Sequence, residues 1–368
     1  MEKAFKFRIY PTPLQGLQIA KTIGCARLVY NDALDCRKRA WDVDCIRLNY
    51  NWTSQNLTGL KKHLTFLKEA DKFALQNALK DLDRAYQNFF AGRAKYPRFK
   101  RKHSPKQSYR TNYTNNNIAV LEKAVKLPKL GKVRAKISRP VEGRIISATV
   151  SCTKSGRYFV SVCCTDVEIA KLEPTFREVG IDLGITYFAI TSDGDKKANP
   201  KYLKKSLKRL KLLQKRLSRK QKGSHNRDKA RVRLAKLHEY ISNQRENFLQ
   251  QYTTWLVRNY DLLCIEDLNV KGMMANHCLA QAVGDVGMGK FGIMLDYKAK
   301  WYGKVVQQIG RFYPSSQTCH ICGYCNPKVK DLSVREWDCL CGAHHDRDIN
   351  AAKSILKEGK KLLGEHAE

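Results

Sequence analysis

The chain has 368 residues, 43% of them hydrophobic, and 69 lysines and arginines against 34 aspartates and glutamates, a formal net charge of +35. That length allows two or three compact cores and excludes disorder of the whole, while so large a charge opposes compaction unless a polyanion neutralises it, which makes nucleic acid the expected partner. No apolar run is long enough to span a bilayer and Met1 to Pro11 carries no signal-peptide block, so the expected location is the cytoplasm, where the 13 cysteines are thiols and metal ligands rather than a disulfide framework.

Lys3 to Tyr10 alternates as a strand, with Phe5, Phe7 and Ile9 on one side and Lys6 and Arg8 on the other, and Pro11 ends it. From Gln15 to Phe90 the apolar spacing turns to three and four, as in Leu75, Leu79, Leu82, Tyr86 and Phe89, which predicts a small helical domain. Arg93, Lys95, Arg98, Lys100, Arg101 and Lys102 follow, with Tyr96 and Phe99 between the cations, a pattern suited to tracking a nucleic-acid backbone. Strand signals return at Ile118 to Leu121, Val125 to Leu127, Val133 to Ile137, Ile145 to Val150 and Arg157 to Cys164. They predict a small β-barrel or sheet that the first strand joins, with the helical domain inserted into it.

Arg177 to Thr191, with the turn Ser192-Asp193-Gly194, reads as a two-stranded hairpin. Leu203, Leu207, Leu210, Leu213 and Leu217, and after a break at Gly223 to Asn226 also Leu234, Leu237 and Ile241, predict a helical hairpin. Between Lys201 and His238 only Asp228 is acidic, and a face of one sign points to phosphate. Cys25, Cys36, Cys163, Cys164 and Cys264 sit among apolar neighbours and read as small core residues.

Three acids stand out. Asp182 is an isolated carboxylate in the apolar strand Val179 to Thr186, where a lone charge is costly, so either a metal ion or a salt-bridge partner is expected. Glu266 ends the apolar strand Leu262 to Ile265, and Asp348 lies at the start of a helix ending near Leu363, which Asp348 or Asn350 is placed to cap. Converging at one sheet edge, such acids can hold two Mg²⁺ for water attack on a phosphodiester, with no nucleophilic side chain needed. Cys319 and Cys322, then Cys339 and Cys341, separated by a basic hairpin-like stretch, form a four-thiolate zinc signal, with Cys325 and His320 as competing ligands. A zinc so held is structural, because no position remains for water.

The strings FKFRIYPT, LQNALKDLDRAYQNFF, KYPRFK, GIDLGIT, IEDLNVKGM, YPSSQTCHICG and LSVREWDCLCGAHHDRDINAA span nearly the whole chain, and in them it resembles the TnpB family. These are RNA-guided nucleases of bacterial and archaeal insertion sequences, regarded as ancestral to type V CRISPR effectors. The resemblance implies an α/β multidomain chain. Residues 1–12 and 116–172 would form a β-barrel wedge domain and 13–115 a helical recognition domain. Residues 173–314 and 346–368 would form a RuvC-like nuclease domain of RNase H fold, with the basic hairpin at 200–245 and a zinc ribbon at 315–345. It places the catalytic carboxylates, which hold Mg²⁺ or Mn²⁺, on Asp182, Glu266 and Asp348, and the zinc ligands on Cys319, Cys322, Cys339 and Cys341. Asp346 and Asp267 remain structural, and Arg347 steadies the phosphate or the fold.

It further implies a guide RNA from the transposon end, double-stranded DNA as target, a monomer with its RNA, and association with a prokaryotic nucleoid. Base pairing would supply most of the specificity, and the protein would read one short DNA motif. Tyr50, Ser54, Lys72, Phe73 and Gln76 are candidate readers of that motif, the last three sharing a helix face, with packing an equal reading for Phe73. The alternative to a DNA endonuclease is a nuclease-silent, RNA-guided repressor or a transposition accessory protein, against which the three intact acids argue. A compact CRISPR effector is the rival among enzymes.

Overall fold

Strand β1 (Lys3–Tyr10) alternates as its sequence requires: Phe5, Phe7 and Ile9 are each 1% exposed, while Lys6 and Arg8 face solvent. It opens the first of two units, Met1–Glu168 and Ile169–Glu368, of a computed structural model that describes residues 1–104, 107–331 and 333–365. Leu332, in one of the motif strings, lies outside the described residues. Thr12 starts helix α1 (Pro13–Asp44) through a reciprocal cap: the Gln15 amide donates to Thr12 Oγ1 at 3.3 Å and the Thr12 amide to Gln15 Oε1 at 3.0 Å. Pro13 takes the first helical position, where its missing N–H is not needed. Helices α2 (Tyr50–His63) and α3 (Lys72–Phe90) share with α1 a core of Val29, Leu34, Leu57, Leu75, Leu79 and Leu82.

Strands β2 (Gln107–Asn112), β3 (Ala119–Val120), β4 (Ala124–Leu127), β5 (Gly131–Lys136), β6 (Arg144–Cys152) and β7 (Tyr158–Thr165) join β1 in one sheet of order β2-β6-β7-β1-β5-β4-β3. All its pairs are antiparallel, and Phe5 stands opposite Val162 and Ile9 opposite Ala135. Strand β2 was not expected. Its sequence, Gln-Ser-Tyr-Arg-Thr-Asn, is polar throughout and buries only Tyr109 and Thr111, so it carries no apolar alternation.

The second unit is built on strands β8 (Glu178–Leu183), β9 (Tyr187–Thr191) and β10 (Lys196–Ala198), helices α4 (Tyr202–Ser218) and α5 (His225–Asn259), and strand β11 (Leu262–Glu266). Helices α6 (Val270–Ala275), α7 (His277–Val286) and α8 (Met288–Tyr302), strands β12 (Val305–Ile309), β13 (Glu336–Asp338) and β14 (His344–Asp346), and helix α9 (Arg347–Glu365) follow. Its main sheet has the order β10-β9-β8-β11-β12, in which β8, β11 and β12 are parallel and β9 and β10 antiparallel additions. Helix α5 continues past the expected end near residue 245 because its second half buries Leu249, Tyr252, Leu256 and Val257 in the same core as Val179, Ile181, Phe188 and Leu263. No helix is expected from the sequence between Val270 and Tyr302, yet α8 supplies Phe291 and Leu295 to that core.

Cys25, Cys164 and Cys264 are buried as expected, whereas Cys36 and Cys163 are only partly so. Among the described residues no helix is long and apolar enough to cross a membrane.

Candidate functional site

Asp182 and Glu266 lie near the C-terminal ends of neighbouring parallel strands, since Ile181 of β8 is in register with Ile265 of β11. Helix α9 brings Asp348 to them by lying close on the sheet. At Gly180 an added Cβ would stand 1.9 Å from the Ala352 carbonyl oxygen, and at Gly359 one would stand 2.4 Å from Cys264 Sγ. Glycine at both positions therefore lets helix and sheet backbones approach. The three acids line one polar cavity of about 390 Å³ together with Arg311, Ser315 and Arg347.

The electrostatics follow from crowding like charges at a sheet edge. The Asp182 carboxyl is pushed up to about 7, first by burial and then by the charges of Glu266 and Asp348, with Arg347 acting against them. Burial also raises Glu266, while the Ser315 hydroxyl, which donates to Glu266 Oε1, pulls it back. Asp348 has Arg335 at 3.6 Å. Ser315 was not among the expected residues, and its only trace in the sequence is its place in the string YPSSQ.

The helix start corrects the expected cap. Neither Asp348 nor Asn350 caps α9. Asp346 does, its Oδ1 accepting the amides of Asp348 and Ile349 at 3.0 Å each. Burial would raise Asp346, yet Lys196 at 2.7 Å and those amides hold it below the usual carboxylate range. Asp267 is held by Arg311 at 2.6 Å. Asp348, freed from capping, keeps its side chain for the cavity.

Cys319, Cys322, Cys339 and Cys341 bring their sulfurs within 4.8 Å of one another. Separations of 3.9 Å for Cys319–Cys341 and 3.5 Å for Cys322–Cys339 bracket the roughly 3.8 Å between thiolates on a tetrahedral zinc with about 2.3 Å bonds, so the donor set fits that ion. The Cys322 thiol is lowered to about 7, first by the Tyr324 amide and then by its cysteine neighbours. Of the competing ligands, His320 turns its Nδ1 to Asn350 Oδ1 at 2.9 Å, and Cys325 bridges in the backbone to Thr318. His345, not anticipated, sets Nε2 3.1 Å from Cys319 Sγ, where it can steady a ligand from outside the cluster. The hairpin β13–β14 straddles the second cysteine pair instead of separating the two pairs.

The carboxylates differ from the cysteines. Among the described residues the four cysteines are the only group of three or more such side chains whose ligand atoms all lie within 4.8 Å of one another.

In the first unit Tyr50 and Ser54 lie in the first turns of α2 and Lys72, Phe73 and Gln76 at the start of α3. Lys72 and Phe73 line a cavity of about 460 Å³ with Lys61, Thr114, Asn115 and Lys129. Phe73 is half-buried beneath the Lys72 ammonium, 4.9 Å from its ring, and Tyr50 packs against the helical core.

Three family models match: "Probable transposase" over residues 161–277, "Cas12f1-like, TNB domain" over 289–355 and "Helix-turn-helix domain" over 1–42. The last segment is, in this structure, strand β1 and most of one unbroken helix. A Streptomyces pristinaespiralis protein named "Putative RNA-guided DNA endonuclease" is 42% identical across 98% of this chain and 90% of its own length. "Putative RNA-guided DNA endonuclease InsQ" of Escherichia coli strain K12 is 31% identical, across 98% and 93%. In fold, the chain is similar to the protein in the cryo-EM structure of the Cas12f1–sgRNA–target DNA complex, with a TM-score of 0.58 at 11% identity, covering 96% of this chain and 98% of that one.

Proposed function

The chain belongs to the TnpB family, with full-length relatives named as RNA-guided DNA endonucleases, and from that premise we propose that it is itself an RNA-guided DNA endonuclease encoded by a transposable element. The observation that carries the reading is the shared cavity of Asp182, Glu266 and Asp348, with the Asp182 carboxyl raised by burial and by its acidic neighbours. Three carboxylates lining one cavity form a hard oxygen donor set of the kind that holds divalent ions for phosphodiester hydrolysis. When bound, Mg²⁺ or Mn²⁺ supplies an acidified water and neutralises charge on the leaving oxygen. The residues themselves do the positioning. Ser315 holds Glu266 by its hydrogen bond, Asp346 caps the first turn of α9 so that Asp348 is not drawn into capping, and the Arg347 and Arg311 guanidiniums offer donors to a phosphate in the cavity.

Sheet order β10-β9-β8-β11-β12 with α9 laid across it supports a RuvC-like, RNase H-type second unit, and the seven-stranded sheet with its three helices supports a wedge carrying a recognition insert. We assign structural zinc to the four cysteines. Guide RNA from the element's end and double-stranded target DNA are the partners. Tyr50, Ser54, Lys72, Phe73 and Gln76 are assigned to reading a short DNA motif, and the protein acts as a monomer with its RNA.

The test is incubation with guide RNA, matched DNA and Mg²⁺. Cleavage is expected, and Asp182→Ala should abolish it with RNA affinity unchanged. Retained DNA binding without cleavage by the unaltered protein would replace the enzyme with a repressor, and normal cutting by Asp182→Ala would move the metal site elsewhere.

A further inference from the structure

The end of α1, the coil after it, the second half of α3 and Tyr96 enclose a cavity of about 470 Å³ that the nuclease chemistry does not use. Its walls are aromatic and open to solvent: Trp41 is 48%, Phe90 66% and Tyr96 42% exposed. Three exposed rings grouped around one cavity offer flat apolar surface to a ligand. The Arg47 guanidinium rests 5.3 Å from the Trp41 ring and 5.7 Å from the Phe90 ring, a cation against both π systems that an entering flat ring stacks upon or displaces.

The lining is also polar in a specific way. Arg37, only 6% exposed, donates from Nη2 to Asp83 Oδ1 at 2.9 Å, and Gln87 Nε2 donates to Asp83 Oδ2 at 3.0 Å. Arg37 Nε is buried without a hydrogen-bond partner. The same guanidinium lies 5.1 Å from the Tyr86 ring, which lines the cavity. Donor, acceptor and amide thus sit together beside aromatic rings.

That combination selects its ligand. A trimethylammonium-type cation would be repelled by Arg37 and Arg47, a bare phosphate would meet the Asp83 carboxylate, and an aliphatic side chain would leave the polar groups unused. A nucleobase suits both the rings and the polar groups, with π faces for Trp41 and Phe90 and an edge of donors and acceptors for Gln87 and Asp83, which Arg37 holds in place. An adjoining cavity of about 510 Å³ shares Tyr96 and is lined by Lys38, Arg98 and Arg101, cations placed for the phosphates flanking such a base.

We propose that this aromatic cavity binds one unpaired nucleobase of a nucleic-acid strand, stacked against Trp41 and Phe90. The proposal rests on the reading of the chain as a nucleic-acid-binding protein, but not on cleavage. The test titrates the full chain, without guide RNA or divalent ion, with a single-stranded oligothymidylate and with a fully paired duplex of equal length, in salt raised to weaken phosphate-only contacts. Trp41→Ala and Phe90→Ala should each weaken single-strand binding about tenfold and leave duplex binding unchanged, and Phe90→Tyr should restore the single-strand affinity. Both side chains are exposed, and the unchanged duplex affinity checks that the variants fold. Photo-crosslinking of the same strand carrying 5-iodouracil should mark Trp41, Phe90 or Tyr96. Equal losses on both ligands, no loss on either, as expected if a protein segment fills the cavity, or adducts confined to other residues would each overturn the assignment. A chain that fails to cut DNA can still pass this test, and one that cuts can fail it.

Discussion

Asp182 ties the site to pH. Its folded carboxyl stands at about 7 against an ordinary 3.8, so the folded state holds the proton more tightly than the unfolded one. The stability this group contributes is complete below its ordinary value and is lost as pH rises through about 7. A dication bound to the ionised carboxylate reverses that loss. Mg²⁺ should therefore raise the melting temperature more at pH 8 than at pH 5, and Asp182→Asn should remove most of the difference. Equal Mg²⁺ shifts at the two pH values in the unaltered protein would count against the carboxylate reading. Asp182 was legible in the sequence because a charge in an apolar strand violates the cost of burial. Ser315, His345 and the Asp346 cap were not, because each acts through individual hydrogen bonds or side-chain contacts that leave no period or spacing behind.

At the scale of elements, the approach of α9 to β8 decides whether the third acid reaches the other two. Gly180→Ala would place a methyl against the backbone carbonyl of Ala352, which has no flexible end to move aside. It should cost about 1–3 kcal/mol by overpacking, read as a lower urea midpoint. An unchanged midpoint would mean that the helix sits farther from the sheet. Elements with a strong period were visible before the structure: the alternation of β1, the leucine spacing of α4 and the cysteine pairs. Strand β2 was hidden because a polar strand that buries one tyrosine and one threonine has the composition of a loop. The far half of α5 and all of α8 were missed for another reason: their apolar residues answer to a core contributed by distant strands.

For the whole molecule, the charge of +35 sets how it meets its partners. The α4–α5 hairpin shows where part of it is spent. Arg227 closes the turn on the carbonyls of Leu217 and Lys220, and Arg231 pairs with Asp228, leaving the rest of that cationic face without an acid on the same hairpin up to Glu239. Affinity for nucleic acid should fall about a thousandfold or more between roughly 50 and 200 mM salt through counterion release, measured as log K against log salt, and a flat response would contradict a phosphate-facing surface. The four-cysteine cluster and the carboxylate cavity, by contrast, are joined by a single helical turn. Asn350 holds the His320 amide at 3.1 Å and the Thr318 carbonyl at 2.8 Å, two residues beyond Asp348. Through those two hydrogen bonds a displacement of the cysteine cluster is passed to the first turn of α9 and so to Asp348, and the two clusters move together or not at all.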